Sequence, residues 1–144
     1  MLWNEIITQE DVKNFNLKMG NFHDSCLKEM CFASGGYVST DLKMDVLSNS
    51  IAKFLFQRQL KNPSVIEVEF SDIIQINIKP VSKDDGVDII NTHLYLEDET
   101  FFWSEKDYQF WEEGKEKCTW IASKVVKWRE RDDLLGEENV YMTD

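Results

Sequence analysis

The chain has 144 residues, 42% apolar and 30% charged, with a formal net charge of −11. Those values belong to one globular domain that can fold on its own core, and they argue against a disordered chain. They also exclude a membrane-spanning helix, which needs roughly 20 apolar residues in a row, and an electrostatic binder of nucleic acid, which needs clustered Lys and Arg.

The negative charge is concentrated. Residues 96–117 carry eight acids and three bases, and residues 129–144 carry six acids and two bases. A surface of that kind attracts a basic protein and speeds its encounter, besides keeping the chain in solution. Cys26, Cys31 and Cys118 make an odd count without a CxxC, so neither a disulfide framework nor a zinc cluster is expected, and no cofactor is. Free buried thiols and a cytoplasmic location follow as expectations. Met1-Leu2-Trp3-Asn4-Glu5 also lacks the basic and apolar stretches of a signal peptide.

The first element is a helix. Thr8 is placed to cap it, Asp11 sits three residues on, Val12, Phe15 and Met19 form one apolar stripe, and Gly20 ends it. Residues 25–32 read as a strand whose apolar parity is broken around Lys28, which points to two partly buried faces or to a bulge. Ser34-Gly35-Gly36 is a turn, and residues 37–46 are expected to return as a hairpin partner with Leu42, Met44 and Val46 in alternation.

Three alternating runs follow, at residues 54–59, 65–70 and 74–79. They predict antiparallel strands with Ile66, Val68 and Phe70 on a core face and Glu67 and Glu69 on a wet one. Phe70-Ser71-Asp72-Ile73 is either a reversal or a bend between two of them, and Pro80 closes the third. Residues 87–96 are expected to form one strand and Glu97-Asp98-Glu99 a turn into Thr100-Phe101-Phe102-Trp103. A helical turn is expected near residues 105–111 and a last strand over residues 118–129. The fold class is therefore α+β: a curled, mostly antiparallel sheet of seven to nine strands with one N-terminal helix packed on it. Residues 1–144 form a single domain, of which 130–144 is expected to be a loosely held acidic tail.

Chemistry-bearing residues are few. Only two histidines exist, His23 and His93. His93 sits mid-strand with no nucleophile beside it. Phe22-His23-Asp24-Ser25 offers His23 and Asp24 as a proton-transfer or metal pair, or as turn residues that hydrogen-bond locally. Neighbours on a strand point to opposite faces, so convergence of the two side chains is not expected. Cys26 has only Lys28 nearby to activate it, and Arg58 falls oddly on the parity of Phe54 and Phe56. Phosphate-binding glycine motifs and metal-ligand spacing are absent. Consecutive aromatics on a strand cannot all face inward, so Phe102, Trp103 and Trp111, with Glu112 and Glu113, are the expected binding surface.

The Phe22-His23-Asp24-Ser25 turn opening a strand, with Phe70-x-x-Ile73 further on, resembles small uncharacterised bacterial proteins that share an early Phe-His-Asp-small motif. Some of those are identified as immunity proteins of polymorphic toxin systems. The resemblance implies a mostly antiparallel sheet and no catalytic residue, with His23 and Asp24 as motif members. The leading expectation is a non-enzymatic protein-binding domain whose partner is a basic protein. A small enzyme or ligand-binding domain centred on His23 and Asp24 is the alternative, and a homodimeric assembly protein is the third.

Overall fold

The computed structural model describes residues 2–47, 49–107 and 117–138. In chain order it contains β1 (Asn4–Ile6), α1 (Gln9–Met19), β2 (Ser25–Ala33), β3 (Tyr37–Val38), β4 (Met44–Asp45), β5 (Ile51–Arg58), β6 (Val65–Asn77), β7 (Asp88–Ile89), β8 (Leu94–Glu97), β9 (Thr100–Ser104) and β10 (Trp120–Glu130). Eight strands make one antiparallel sheet in the order β7-β2-β5-β6-β10-β9-β8, with β1 added to the second half of β10. The fold is α+β, as the alternation pattern predicts.

The helix forms for local reasons. The Thr8 hydroxyl accepts the Asp11 N–H, and the Asp11 carboxylate accepts the N–H groups of Ile7 and Thr8 at 2.9 Å each. Val12, Phe15 and Met19 are buried, and Gly20 ends the helix at φ 57°. A 3-10 turn then drives Phe22 into the core.

Reach explains why the sheet curls. Its two ends, β7 and β8, are joined by residues 90–93 alone. Laid flat, seven strands would put those ends about 29 Å apart, whereas the link spans at most about 17 Å. The sheet therefore wraps until its ends approach, and α1 with its following turn fastens the seam. The Asn16 amide pairs with both backbone groups of Leu94 at 2.9 Å, the Thr92 N–H donates to Asn21 O at 2.9 Å, and Gln9 Nε2 donates to Leu96 O at 2.6 Å. Residues 87–96 are thus two short strands on opposite ends of the sheet, and not the single strand expected. Contacts from residues 9–23 divide them, and no local pattern announces such contacts.

The interior is aromatic. Trp103 packs between Phe22, Phe54 and Phe56 with ring centroids 5.8, 5.7 and 5.1 Å away. Strand β6 runs unbroken for 13 residues, so residues 70–73 are a bend and not a reversal. Asp72 at φ 50° makes the bend, and the core-facing parity changes there in both partners: from Val68 and Phe70 to Ile73 in β6, and from Trp128 and Val126 to Ile121 in β10. Ile74 adds a bulge opposite Ala122 and Ser123. The parity break in β2 is also a bulge, at Lys28.

Two other expectations are corrected. The outer face of β5, β6 and β10 is not a wet carboxylate face. Glu67 is 1% exposed, held by Arg129 Nε at 2.9 Å and Arg131 Nη1 at 3.0 Å with Lys53 Nζ at 3.8 Å. Glu69 pairs with Lys127 at 2.9 Å, and Trp3 lies under the Lys127 and Arg129 cations. Opposite charges stand directly across neighbouring strands, so they neutralise one another instead of facing water. Nor is the start of the tail loose. Asp132 Oδ1 accepts the N–H groups of Ser64 and Val65, Gln57 Nε2 donates to the carbonyls of Leu134 and Gly136, and Leu134 packs on Leu55 and Val65. Residues 139–144 lie outside the described residues.

Candidate functional site

His23 and Asp24 do meet. Asp24 has φ 58°, so the backbone turns at this residue and strand alternation begins only at Ser25. His23 Nε2 stands 3.4 Å from Asp24 Oδ2, and Nδ1 donates to Ile90 O at 2.7 Å. Both side chains are more than half exposed. The Asp24 carbonyl accepts the Gln59 N–H, and the Ser25 hydroxyl accompanies it by donating to Phe22 O at 2.5 Å. An open groove of about 410 Å³ beside this turn is lined by Asp24, Cys26, Arg58 and Asp88, but not by His23. The pair therefore ties the helix-to-strand turn to the seam at Ile90. It does not converge with a third polar group on one pocket.

The remaining residues of that groove are quiet. Burial pushes the Cys26 thiol above its ordinary range, so it is a thiol and not a thiolate. Cys118 is buried and shifted the same way, whereas Cys31 is exposed, which corrects the expectation of buried thiols throughout. Arg58 is 8% exposed and donates to Pro63 O at 2.7 Å and Lys18 O at 3.4 Å, binding the C-terminal end of α1 to the β5–β6 loop. Among the described residues no group of three or more His, Cys, Asp or Glu could hold a metal.

His93 has company that sequence spacing did not reveal. Its Nδ1 lies 3.4 Å from Asp107 Oδ2, and Tyr95 donates its hydroxyl to Asp107 Oδ1 at 3.0 Å. Burial and the Asp107 carboxylate together push the Tyr95 phenol up to about 12. The three residues pin the segment after β9 to β8, and none is an activated nucleophile.

The expected binding surface is corrected at its centre. Trp103 is 1% exposed and belongs to the aromatic interior, because β9 turns its odd-numbered side chains inward over Phe54 and Phe56. Phe102, on the opposite face, is half-buried. Trp111, Glu112 and Glu113 lie outside the described residues.

Exposed apolar side chains gather elsewhere. Residues 37–46 do not join the main sheet; β3 and β4 pair only with each other. Phe32, Tyr37, Val38, Leu42, Met44, Val46 and Leu47 are each more than half exposed. At the neck of this hairpin Gly35 (φ 85°) meets the Asn49 backbone so closely that a Cβ would sit 2.6 Å from it, so only glycine fits. Near its tip the Ser39 N–H donates to Lys43 O at 2.8 Å and the Ser39 carbonyl accepts the Leu42 N–H at 2.9 Å, while the Ser39 hydroxyl accepts the Lys43 N–H and donates to Asp41. The tip residue, Leu42, is 84% exposed at φ 66°. A leucine in that position is unfavourable twice, once for its backbone and once for its hydration. Comparison with known proteins returns nothing: no family model, no curated protein and no solved structure matches the chain.

Proposed function

We propose that this chain is a non-enzymatic protein-binding domain whose contact element is the hairpin of residues 35–47. One observation carries the reading: Leu42 is held exposed and in a left-handed conformation on a hairpin that also exposes Tyr37, Val38, Met44, Val46 and Leu47. Strain of that kind persists where a contact repays it, and a pre-formed hairpin loses little freedom on binding. Contiguous exposed apolar side chains mark interfaces, whereas single ones do not.

The partner that fits is a basic protein with an apolar recess. The chain carries −11, and within that total the hairpin places Asp41 and Asp45 around the apolar tip, with Lys43 already beside Asp41 at 3.7 Å. Acidic groups at the rim would steer a cationic partner, and Leu42, Met44 and Tyr37 would anchor it. An immunity-type role, in which the domain blankets a toxin's active site, is one instance of this reading. It replaces the anchors expected around Trp103 with Leu42, Met44 and Tyr37 on the hairpin.

The test is affinity capture with the full chain beside a Leu42→Ser/Met44→Ser variant, at low and high salt. A protein retained by the native chain, weakened by salt and lost with the variant supports the proposal. Equal capture by both chains overturns it. Sedimentation showing a dimer that the variant abolishes would replace the basic partner with a second copy of the chain.

A further inference from the structure

The sheet has a break in its wall. Strand β9 pairs with β10 as far as Ser123, and β1 pairs with it from Val126 onward, so Lys124 and Val125 face no neighbouring strand on that edge. The break opens as a groove of about 490 Å³. Its deep residues are Ile6 and Phe101, each 4% exposed, and Leu96 and Val125 flank them. Asp98 and Glu99, the turn between β8 and β9, stand at the groove as well.

Charge and shape together select an occupant. Among the described residues neither the Asp98 nor the Glu99 carboxylate has a hydrogen bond or an ion pair. Among the described residues that line the groove the one cation is Lys124, which already donates its ammonium to the Thr100 hydroxyl at 3.0 Å. Two carboxylates and one ammonium leave a single negative charge, which one monocation neutralises. The apolar floor of Ile6, Leu96, Phe101 and Val125 favours an apolar body beneath that cation. Arginine and lysine side chains have this construction: a hydrocarbon stem that lies on apolar surface and a charged head that stays at the rim.

We infer that the groove between β1 and β9 receives an arginine or lysine side chain presented by the protein partner. This rests on the protein-binding reading above and adds the chemistry of one contact. The position agrees with it. Val125 lies in one row with Ser71, Ile51 and Ala33 across β10, β6, β5 and β2, and the hairpin leaves the sheet directly after Ala33. Three strand spacings, about 14 Å along the sheet, separate the two, so one protein surface can cover both.

The test uses three capped tripeptide probes, Ac-Ala-Arg-Ala-NH2 and its citrulline and norleucine counterparts, titrated into the full chain and followed by backbone amide NMR. The expected result is shifts at Ile6, Leu96, Asp98, Glu99, Phe101 and Val125 with the arginine probe. Citrulline, which keeps the shape and loses the charge, should bind about three- to tenfold more weakly, as should the arginine probe to Asp98→Asn/Glu99→Gln. Asparagine tolerates the left-handed backbone at position 98 (φ 49°), so that variant should keep the fold. No shifts at the groove, or equal binding of arginine and citrulline, overturns the inference. The Leu42→Ser/Met44→Ser chain distinguishes the two proposals. Retained arginine shifts with lost partner capture upholds both, whereas partner capture unaffected by Asp98→Asn/Glu99→Gln with no arginine shifts sinks the groove alone.

Discussion

Two clusters of large apolar side chains follow opposite rules. Around Trp103, rings from α1's following turn, β5 and β9 enclose one another, and each is at most 1% exposed. On the hairpin of residues 35–47, side chains of similar hydrophobicity point into water, held there by a Ser39 network and a glycine neck. The first cluster supplies the stability that the second does not need to supply. Any substitution that confuses the two, costing stability at the hairpin or function alone at the interior, contradicts this division.

The largest effect belongs to the interior. Phe56→Ala should cost about 3–5 kcal/mol in urea unfolding, because the ring's neighbours Phe22 and Trp103 cannot close the space. Glu67→Ala comes next. It leaves Arg129 and Arg131 facing one another across a buried site, and should cost about 2–3 kcal/mol, less than a fully buried pair because both cations reach water. Thr8→Ala should cost about 1 kcal/mol through the lost capping bond.

The hairpin should behave differently. Leu42→Gly relieves the left-handed backbone at φ 66° and should change stability by no more than about 0.5 kcal/mol in either direction, while abolishing partner capture. A loss of several kcal/mol there would show that the hairpin is a structural element.

Titration sharpens the comparison at its margins. The backbone N–H of Thr8, then that of Ile7, holds the Asp11 carboxyl below its ordinary range, and Arg131 does the same for Asp133. Stability from a depressed carboxyl is complete above the unfolded value and is lost as pH falls through the folded one, so Asp11→Asn should flatten the acid limb of the stability curve. Tyr95 has the opposite sign. Its folded value near 12 lies above the unfolded one, so its contribution is present at neutral pH and fades as pH rises toward 12. Ultraviolet titration should find this tyrosine ionising late, and Asp107→Asn should bring it earlier.

What could be read beforehand was local. The cap at Thr8, the stripe of Val12, Phe15 and Met19 and the stop at Gly20 lie within 13 residues and interact with one another. The bulge at Lys28 also announced itself, because a bulge displaces the parity of its own strand. What escaped depends on distant partners. β6 passes through residues 70–73 without reversing because β10 bends with it, more than 50 residues later. The seam at residues 90–93 is defined by Asn16, Asn21 and His23. Trp103 is interior because β9 faces Phe54 and Phe56, which no spacing within residues 96–117 encodes. The hairpin carried a signal that alternation hid: Leu42, Met44, Val46 and Leu47 include adjacent apolar residues in a stretch too rich in turn formers for a buried strand.

The cross-strand charge layer has an electrical consequence. On that one face Lys53, Lys127, Arg129 and Arg131 meet Glu67, Glu69 and Asp133, so the charges there cancel locally. The rest of the chain then holds the negative excess behind the formal charge of −11. In the field of a cationic body Glu67 and Glu69 then exert little pull, and uncompensated acids such as Asp98 and Glu99 set the approach.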